Sequence, residues 1–469
     1  MSQEVYSQYS FPCKANDIDV YLEYNNSILY NTRKKIIEEE GLQQYTCREL
    51  ILITKCEVEQ YNGLDEVRRL CRGNVLVIQG IISFFTSFPL TMYNAVESKV
   101  GIVPIKYKVQ SNHLFIQGKD YTYDLIQLLR KINEESKLII SLLDRWRKAI
   151  YLKEQSDADL YYDEAFLSFF HILELFGNSI KKDLKKKLDT SIVDLLSNYY
   201  RAYYFSKDTI KEMVQQNKKP ISSILISDDL SLAIKIKYFL EKYDMLDDNT
   251  AFFVDNMIEI RNDIAHGRIT YKNKFVYPLS PFFNLAKDSY ENMQFLFFLT
   301  ARMISKYIGI TCWEQEWEES KKYLLPPKST LDLFLNDDSK IYNFDEKMLL
   351  EGNKYNITWR TIFNHYIKKP KKDFLDKLEI KLKNYFMKVE MNEENSADLF
   401  NISLLFSDSI DDQIKNKAIE NIKIAISKQW YGWSNFKDAY SYLEFYNVNL
   451  IWYKSFLMSE SHNLFSKDE

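Results

Sequence analysis

The sequence contains little glycine and proline, no long apolar run and no excess of positive charge. Only 11 glycines and 9 prolines occur in 469 residues, which favours long helices with few tight turns. The longest apolar runs, such as IISFF and FLFFL, are too short to span a bilayer. The start of the chain, MSQEVYSQYSFP, has no basic segment followed by an apolar core, so it does not resemble a secretory signal. These features predict a cytoplasmic protein without a membrane partner.

Charge and cysteine content exclude two further classes of protein. The formal net charge is −4, so the chain is not a globally basic coat for nucleic acid, and any RNA site must be local. The cysteines form no Cys-x-x-Cys pair and have no histidines grouped beside them, which predicts reduced thiols and neither a metal nor a cofactor. The cysteines are Cys13, Cys47, Cys56, Cys71 and Cys312.

Hydrophobic periodicity predicts an α+β protein that is mainly α and has three domains. Residues 1–135 predict an N-terminal α+β domain of unknown ligand, with a helix at 31–41 and strands rich in Val, Ile, Phe and Tyr. The predicted strands are RELILITK (48–55), NVLVIQGIISFFTSF (74–88), VGIVPIKYKVQ (100–110) and NHLFIQGKDYTY (112–123), the last containing a turn at GKD (118–120).

Helical spacing replaces the strand pattern from about residue 136 onwards. Residues 136–312 predict a central all-helical bundle, in which Pro220 breaks the helical series. Pro326 and Pro327 mark a boundary near the start of a further helical series, so residues 313–469 predict a C-terminal helical accessory region.

The stretch FFVDNMIEIRNDIAHGRI, residues 252–269, predicts an amphipathic helix that Asn249 or Thr250 caps and that ends near His266. Its apolar stripe consists of Phe253, Met257, Ile260 and Ile264, and its polar face consists of Asp255, Glu259, Asn262 and His266. Arg261 falls inside the apolar arc. Because a guanidinium is almost never fully buried unless it is paired, Arg261 is the most informative residue of this helix.

The side chains of Arg261, Asn262 and His266 suit RNA cleavage without a metal. A 2′-hydroxyl must lose a proton as it attacks the adjacent phosphorus, and the leaving 5′-oxygen must gain one; an imidazole can do either near neutral pH. The arginine fork matches phosphate oxygens and stabilises the charge that develops on them. Asn262 lies one helical turn from His266 and can orient the imidazole or bind the phosphate.

The segment from Arg261 to Gly267, RNDIAHG, resembles the signature of the HEPN superfamily, in which an Arg, four to six further residues and then a His stand on a helix, often with Asn directly after the Arg. The segment at 145–178 is similar to the opening helices of the ApeA-like HEPN branch, and the resemblance covers roughly residues 140–310. It implies an all-α bundle and a metal-independent endoribonuclease of a toxin or antiphage system, of the abortive-infection type. RNA, with transfer RNA as one candidate, would be its substrate, and 2′,3′-cyclic phosphate ends its product.

The same resemblance implies a homodimer. Five helical positions separate Arg261 from His266, about 140° around the helix axis, so a single helix directs the two side chains apart. In a homodimer, two copies of the motif would face one cleft. A phage-derived activator or an antitoxin would be a further partner.

Two residues are candidates for a supporting role. Glu174 is predicted either to be the buried partner of Arg261 or to be an ordinary solvated helix residue. Asp263 lies inside the motif, between Asn262 and His266. The catalytic candidates are therefore Arg261, Asn262 and His266, with Glu174 and Asp263 supporting them.

Alternative interpretations exist for the motif and for two other segments. A HEPN module without activity would serve only for binding or dimerisation in a sensor or regulatory protein. Arg360 and His365 repeat the spacing of Arg261 and His266 but lack the following Asn and Gly, which favours a structural role. The basic cluster KKDLKKK (181–187) is interpreted as a solvated helix end, or as a contact to an RNA backbone.

Overall fold

The computed structural model describes residues 3–13, 18–40, 43–91, 95, 97–102, 110–155, 158–225, 230–266, 289–337, 341–342, 344–433 and 435–465. Their contacts divide the chain into two compact units. Unit 1 comprises residues 1–244 and 289–317, and unit 2 comprises residues 245–288 and 318–469. This division crosses the predicted central segment, because the motif helix belongs to unit 2. The predicted three-domain division stays a prediction.

The strands of unit 1 form one antiparallel sheet of seven strands in the order β5-β1-β4-β3-β2-β6-β7. They are β1 (Gln3–Cys13), β2 (Ile18–Tyr24), β3 (Ser27–Glu40), β4 (Gln43–Val58), β5 (Glu97–Gly101), β6 (His113–Ile116) and β7 (Lys119–Asp120). The mainly α, α+β fold class is therefore confirmed.

The helices that begin within the sequence of unit 1 are α1 (Leu64–Thr86), α2 (Thr122–Glu134), α3 (Ser136–Lys153), α4 (Ala158–Ser179), α5 (Lys181–Arg201), α6 (Lys207–Leu225), α7 (Leu232–Lys242), α9 (Ser289–Ile308) and α10 (Glu314–Lys321). The motif helix, α8 (Asp248–Ala265), precedes α9 in the chain and lies in unit 2. The remaining helices of unit 2 are α11 (Lys328–Leu335), α12 (Glu346–Glu351), α13 (Trp359–Lys368), α14 (Lys372–Lys388), α15 (Ser396–Phe406), α16 (Asp412–Lys428), α17 (Phe436–Phe445) and α18 (Ile451–Phe465).

Two segments of the N-terminal region differ from the prediction in their secondary structure. The predicted helix at 31–41 is wrong, because residues 31–40 belong to β3, which pairs with β4 across a register shift between Asn31 and Lys35. The predicted strand at 74–88 is also wrong, because residues 74–86 form the second half of α1. A continuous apolar run is ambiguous between a buried strand and a buried helix, and here the 23-residue length of α1 decides for the helix.

The other predicted strands agree with the structure where it describes them. RELILITK lies in β4, and NHLFIQ contributes β6. A turn at Gln117 and Gly118 joins β6 to β7, and both residues have positive φ, the combination that a tight two-residue hairpin requires. Residues 103–109 of the predicted strand at 100–110 lie outside the described residues.

The core of unit 1 joins the sheet, α1 and the helices around Trp146. Trp146 on α3 is fully buried, and its indole Nε1 donates to the carbonyl oxygen of Ser83 on α1 at 3.0 Å. Its ring centroid lies 5.5 Å from Phe84 of α1, 5.6 Å from Phe169 of α4 and 4.9 Å from Phe297 of α9. One aromatic side chain therefore contacts three other helices of unit 1.

The second core lies in unit 2 and is made by the helices from α11 to α18. Trp359, Phe386, Phe406 and Tyr453 are among its fully buried aromatic residues. The ring of Phe386 contacts those of Trp359 and Phe406, at centroid distances of 6.2 and 5.2 Å. Residues 328–465 thus have an aromatic core of their own. Among the described helices of both units, none is long and apolar enough to cross a membrane.

The Trp146→Ala variant should destabilise unit 1 by about 3–5 kcal/mol, the usual cost of removing a large buried aromatic side chain. The loss should appear as a lower midpoint of urea unfolding for unit 1, followed by circular dichroism. Tyr123→Ala provides the control, since Tyr123 is 67% exposed, and it should leave the midpoint within experimental error. A Trp146→Ala midpoint equal to that of the wild type would contradict this role of Trp146.

Candidate functional site

The first half of α8 anchors the motif helix in unit 2. The side chain of Asp247 caps the helix by accepting from the Thr250 N–H at 2.7 Å, so the predicted cap at Asn249 or Thr250 lies too late in the sequence. The Asp247 carboxylate also lies 3.8 Å from Lys321 Nζ. Phe253 and Met257 are buried. These contacts fix the orientation of the helix before the motif begins.

The second half of α8 carries the motif away from the buried residues. Burial along the apolar stripe stops at Met257, and Ile260 and Ile264 are half-buried. Arg261, Asn262 and Asp263 are half-buried. Of the predicted polar face, Asp255 near the middle of the helix, and Glu259 and His266 further along, are exposed. The prediction of a helix is confirmed, although it ends at Ala265 with His266 as its C-cap.

Hydrogen bonds connect the three catalytic candidates. Arg261 Nη1 donates to Asn262 Oδ1 at 3.3 Å. The backbone N–H of His266 donates to the carbonyl oxygen of Asn262 at 3.0 Å. The second bond is the ordinary backbone bond of a helix and does not position the imidazole, whereas the first joins the side chains of Arg261 and Asn262.

The positions of Arg261 and His266 along α8 favour different directions for their side chains. Arg261 is half-buried and its Nη1 donates to Asn262, while His266 is exposed and is the C-cap of the helix. Residues five apart differ by about 140° around a helix axis. A phosphate that contacts one of the two side chains is thus not placed on the other by the helix alone.

The electrostatics of α8 are acidic. Its 18 residues include Asp248, Asp255, Glu259 and Asp263 but only one cation, Arg261. The end of the helix offers a cation and an imidazole for a phosphate, but its charge does not attract RNA over distance.

The two supporting candidates, Glu174 and Asp263, lie in different units of the structure. Glu174 lies half-buried on α4 of unit 1, with Oε2 at 4.0 Å from His171 Nε2. Its pairing with Arg261 stays a prediction. Asp263 lies next to Asn262 on α8 and is half-buried.

The second Arg-x₄-His pair has structural partners. Arg360 Nε donates to Asp398 Oδ1 at 3.1 Å, and its guanidinium lies 5.0 Å from the ring centroid of Tyr323. His365 Nε2 donates to the carbonyl oxygen of Pro326 at 2.7 Å, since a carbonyl can only accept. Burial lowers the pKa of His365, and the hydrogen bond to Pro326 opposes this only in part. These contacts agree with the structural interpretation of Arg360 and His365.

A cleft of about 380 Å³ between α1 and α3 of unit 1 was not anticipated from the sequence. Its charged lining includes Arg72, Asp144, Arg147 and Lys148. Burial would raise the pKa of Asp144, but hydrogen bonds from Lys148 at 2.6 Å and Arg147 at 3.0 Å lower it. Asp144 therefore balances two of the three cations, and the cluster is better explained as an ion-pair network than as a site.

An exposed group of tyrosines at the end of α5 was also missed. Its signal in the sequence is YYRAYYF, residues 199–205, which fits a helical series equally well. In the structure Tyr203 and Tyr204 follow the end of α5 at Arg201 and are exposed. A polar-aromatic run just beyond a helix end is the feature that could have identified this surface.

Neither a metal site nor a known relative adds to this picture. Within the part of the chain that the structure describes, no three or more His, Cys, Asp and Glu side chains form a group that could hold a metal ion. Comparisons with protein-family models, curated proteins and solved structures gave no match.

Lowering the pH should destabilise unit 2 through His365. Because burial lowers its pKa from 6.5, the unfolded chain takes up this proton at a higher pH than the folded chain does. The stabilisation is fully present above about pH 6.5 and is lost as the pH falls towards the folded-state pKa. Thermal unfolding between about pH 7.5 and 5.5 should therefore show a steeper loss for the wild type than for His365→Gln. Parallel pH profiles for the two proteins would contradict this assignment.

Proposed function

We propose that this chain is a metal-independent endoribonuclease of the HEPN type, acting in the cytoplasm as a toxin or antiphage effector. The observation that supports the proposal best is that the second half of α8 carries Arg261, whose Nη1 donates to Asn262 Oδ1, and ends at the exposed His266. Because His266 is exposed, its imidazole is accessible to a phosphodiester.

The proposed reaction is transfer of the phosphoryl group to the neighbouring 2′-oxygen. The bond from the 2′-oxygen to phosphorus forms, and the bond from phosphorus to the 5′-oxygen breaks. The 2′-hydroxyl proton goes to a base and the 5′-oxygen receives a proton, and His266 serves in one of these two roles. The products are a 2′,3′-cyclic phosphate and a 5′-hydroxyl, so a 2′-deoxy nucleotide at the cut position would block the reaction.

Arg261 and Asn262 have distinct proposed roles. The guanidinium of Arg261 stabilises the negative charge on the phosphate oxygens in the transition state. Asn262 holds that guanidinium through its side-chain oxygen at 3.3 Å, which limits the directions that the fork can take. Asp263 and Glu174 would act as supporting residues, and neither is proposed to contact the reacting atoms.

The proposed active form is a homodimer. Because positions five apart differ by about 140° around a helix axis, we place Arg261 of one chain and His266 of its mate in each complete site. In a twofold-symmetric interface each contact occurs twice, which gives two such sites. Restraint by an antitoxin or activation by a phage component would explain how a cell tolerates the enzyme.

The His266→Ala variant should lose most of the RNA cleavage seen with the wild type, since a positioned acid–base group contributes about 10²–10⁴-fold. Arg261→Ala should be comparably impaired, and Arg261→Lys should restore little because an ammonium lacks the bidentate fork. Cleavage is measured on total RNA with EDTA present, after activation where activation is needed, and the product ends are analysed by mass spectrometry.

Arg360→Ala and His365→Gln are the matched controls, because they change the same residue types at the same spacing on α13. Both should retain wild-type cleavage at a pH where they stay folded. Full activity in His266→Ala would exclude the proposed mechanism and would favour a module that only binds or dimerises. Equal losses from both pairs would contradict the assignment of catalysis to α8.

Mixing the two inactive variants should restore activity if the site is shared between copies. Co-expressed Arg261→Ala and His266→Ala chains form mixed dimers with one intact site each, so about a quarter of the wild-type activity should return. Neither variant alone should show it. Light scattering then establishes whether the active species is a dimer, and a strictly monomeric active enzyme without complementation would contradict the shared site.

A further inference from the structure

The helices α5 and α6 form a hairpin in unit 1 with a small core of its own. The buried residues of this core are Ile192, Leu196, Tyr200, Ile210 and Val214. The hydroxyl of Tyr200 accepts a hydrogen bond from Asn217 Nδ2 at 2.9 Å, which ties the end of α5 to α6. The hairpin is therefore a rigid support for the residues on its surface.

Four aromatic residues at the turn of this hairpin are exposed, and we refer to them as the tyrosine tip. They are Tyr199 (55% exposed), Tyr203 (57%), Tyr204 (96%) and Phe205 (43%). Tyr204 has φ of 57°, in the left-handed region that glycine and asparagine adopt more readily than tyrosine. A tyrosine held in that conformation with its ring in solvent is unexplained by packing.

The rings of the tyrosine tip are ordered relative to one another. The hydroxyls of Tyr199 and Tyr203 lie 3.1 Å apart, with ring centroids at 5.2 Å. Tyr203 and Phe205 are stacked with an interplanar angle of 17° and centroids 6.0 Å apart. The tip thus presents several aromatic faces in a fixed arrangement, not isolated flexible side chains.

The hairpin is basic, although the chain as a whole is acidic. Residues 181–225 contain ten Lys and Arg against five Asp and Glu, whereas the whole chain has a net charge of −4. Arg201, Lys207 and Lys211 are exposed near the tip, and Lys182 and Lys186 are exposed near the start of α5. The cations therefore lie at the two ends of α5, which at 21 residues is about 30 Å long, with no Lys or Arg between Lys187 and Arg201.

We infer that the α5–α6 hairpin is a binding surface for single-stranded RNA. The rings of the tyrosine tip stack on the bases, and the cations of α5 contact the phosphates. Aromatic rings beside cations are the combination by which proteins bind single strands, because every base has a face that can stack and every linkage a charge. The inference rests on the proposed function for the choice of RNA as the nucleic acid, but it requires no cleavage.

The length of the charged surface favours RNA over an anionic membrane. A membrane touching the tyrosine tip would leave Lys182 and Lys186, about 30 Å away along α5, without a role. Lys186 lies 13 positions from Tyr199, about 140° around the axis of α5, so a flexible single strand that winds around the hairpin would contact both ends. The position of Lys218, 3.5 Å from Asp189, places the C-terminal half of α6 beside the first half of α5, so Lys219 adds to the same end.

The first experiment measures binding with the full-length His266→Ala protein, so that the probe is not cut. A fluorescent single-stranded RNA of about 12 nucleotides, within the usual site sizes of about 4–16, is titrated and followed by anisotropy. Adding Tyr203→Ala and Tyr204→Ala should raise Kd by about fivefold or more, because each stacked base contributes appreciably to affinity. Tyr203→Phe with Tyr204→Phe keeps the rings and should retain binding.

Charge reversal tests the other end of the hairpin. Lys182→Glu with Lys186→Glu should weaken binding and reduce the slope of log K against log salt by about 0.7 for each phosphate that is no longer neutralised. Tyr123→Ala and Lys371→Glu with Lys372→Glu are the matched controls, since these aromatic and basic residues are exposed elsewhere. The controls should bind RNA as the parent protein does, and all variants should keep its melting temperature.

Several results would overturn the inference. Unchanged RNA binding after both sets of hairpin substitutions would do so. Binding of the tip to phosphatidylserine vesicles without any RNA binding would also overturn it. A dimer that dissociates when Tyr203→Ala and Tyr204→Ala are introduced, while the affinity for RNA is unchanged, would overturn it as well. The experiments distinguish failure of this inference from failure of the proposed function. RNA binding by the hairpin without RNA cleavage by the wild type would sustain the inference and reject the nuclease. RNA cleavage that the hairpin variants leave unchanged would sustain the nuclease and reject the inference.

Discussion

The contact on which unit 1 depends most is the burial of Trp146 against helices that come from distant parts of the chain. Its indole donates to Ser83 on α1, and its ring packs against Phe169 and Phe297. A buried indole needs a partner for its N–H, and the carbonyl of Ser83 supplies it within the helix that covers the sheet. The sheet and the helices therefore share one core.

The motif helix follows a different constraint, since only half of it is buried. Capping by Asp247 and burial of Phe253, Val254 and Met257 hold the first half of α8, so the second half is positioned without being enclosed. Arg261 is half-buried and bonded to Asn262, which satisfies part of its hydrogen-bonding capacity at little cost in burial. This arrangement explains how a cation can lie within an apolar arc.

Sequence periodicity predicted elements well where the pattern was long and failed where an apolar run was continuous. The helix of the motif and the strand β4 were assigned correctly, because their patterns are unambiguous over many residues. Residues 31–40 and 74–86 were assigned wrongly because β3 is fixed by pairing with β4, and α1 by packing against the sheet and α3. Pro220 was expected to break the helical series, yet α6 continues to Leu225, since one missing donor is tolerated where the hairpin core holds the helix. Of the candidate site, residue spacing placed Asn262 one helical turn before His266, but it predicted neither the contact of Asn262 with Arg261 nor the assignment of α8 to unit 2.

The motif helix and the α5–α6 hairpin differ in charge, and under the two proposals that difference gives them different tasks. The motif helix carries four carboxylates and one guanidinium, so its long-range potential opposes the approach of a polyanion. The α5–α6 hairpin has twice as many cations as anions, so its potential attracts one. Coulombic attraction over several ångströms governs encounter and affinity, whereas hydrogen bonds at about 3 Å govern the transition state. Under the two proposals, capture of RNA and its cleavage belong to different surfaces of a chain whose net charge is −4. High salt should accordingly weaken apparent affinity for RNA far more than it slows the bound-state reaction.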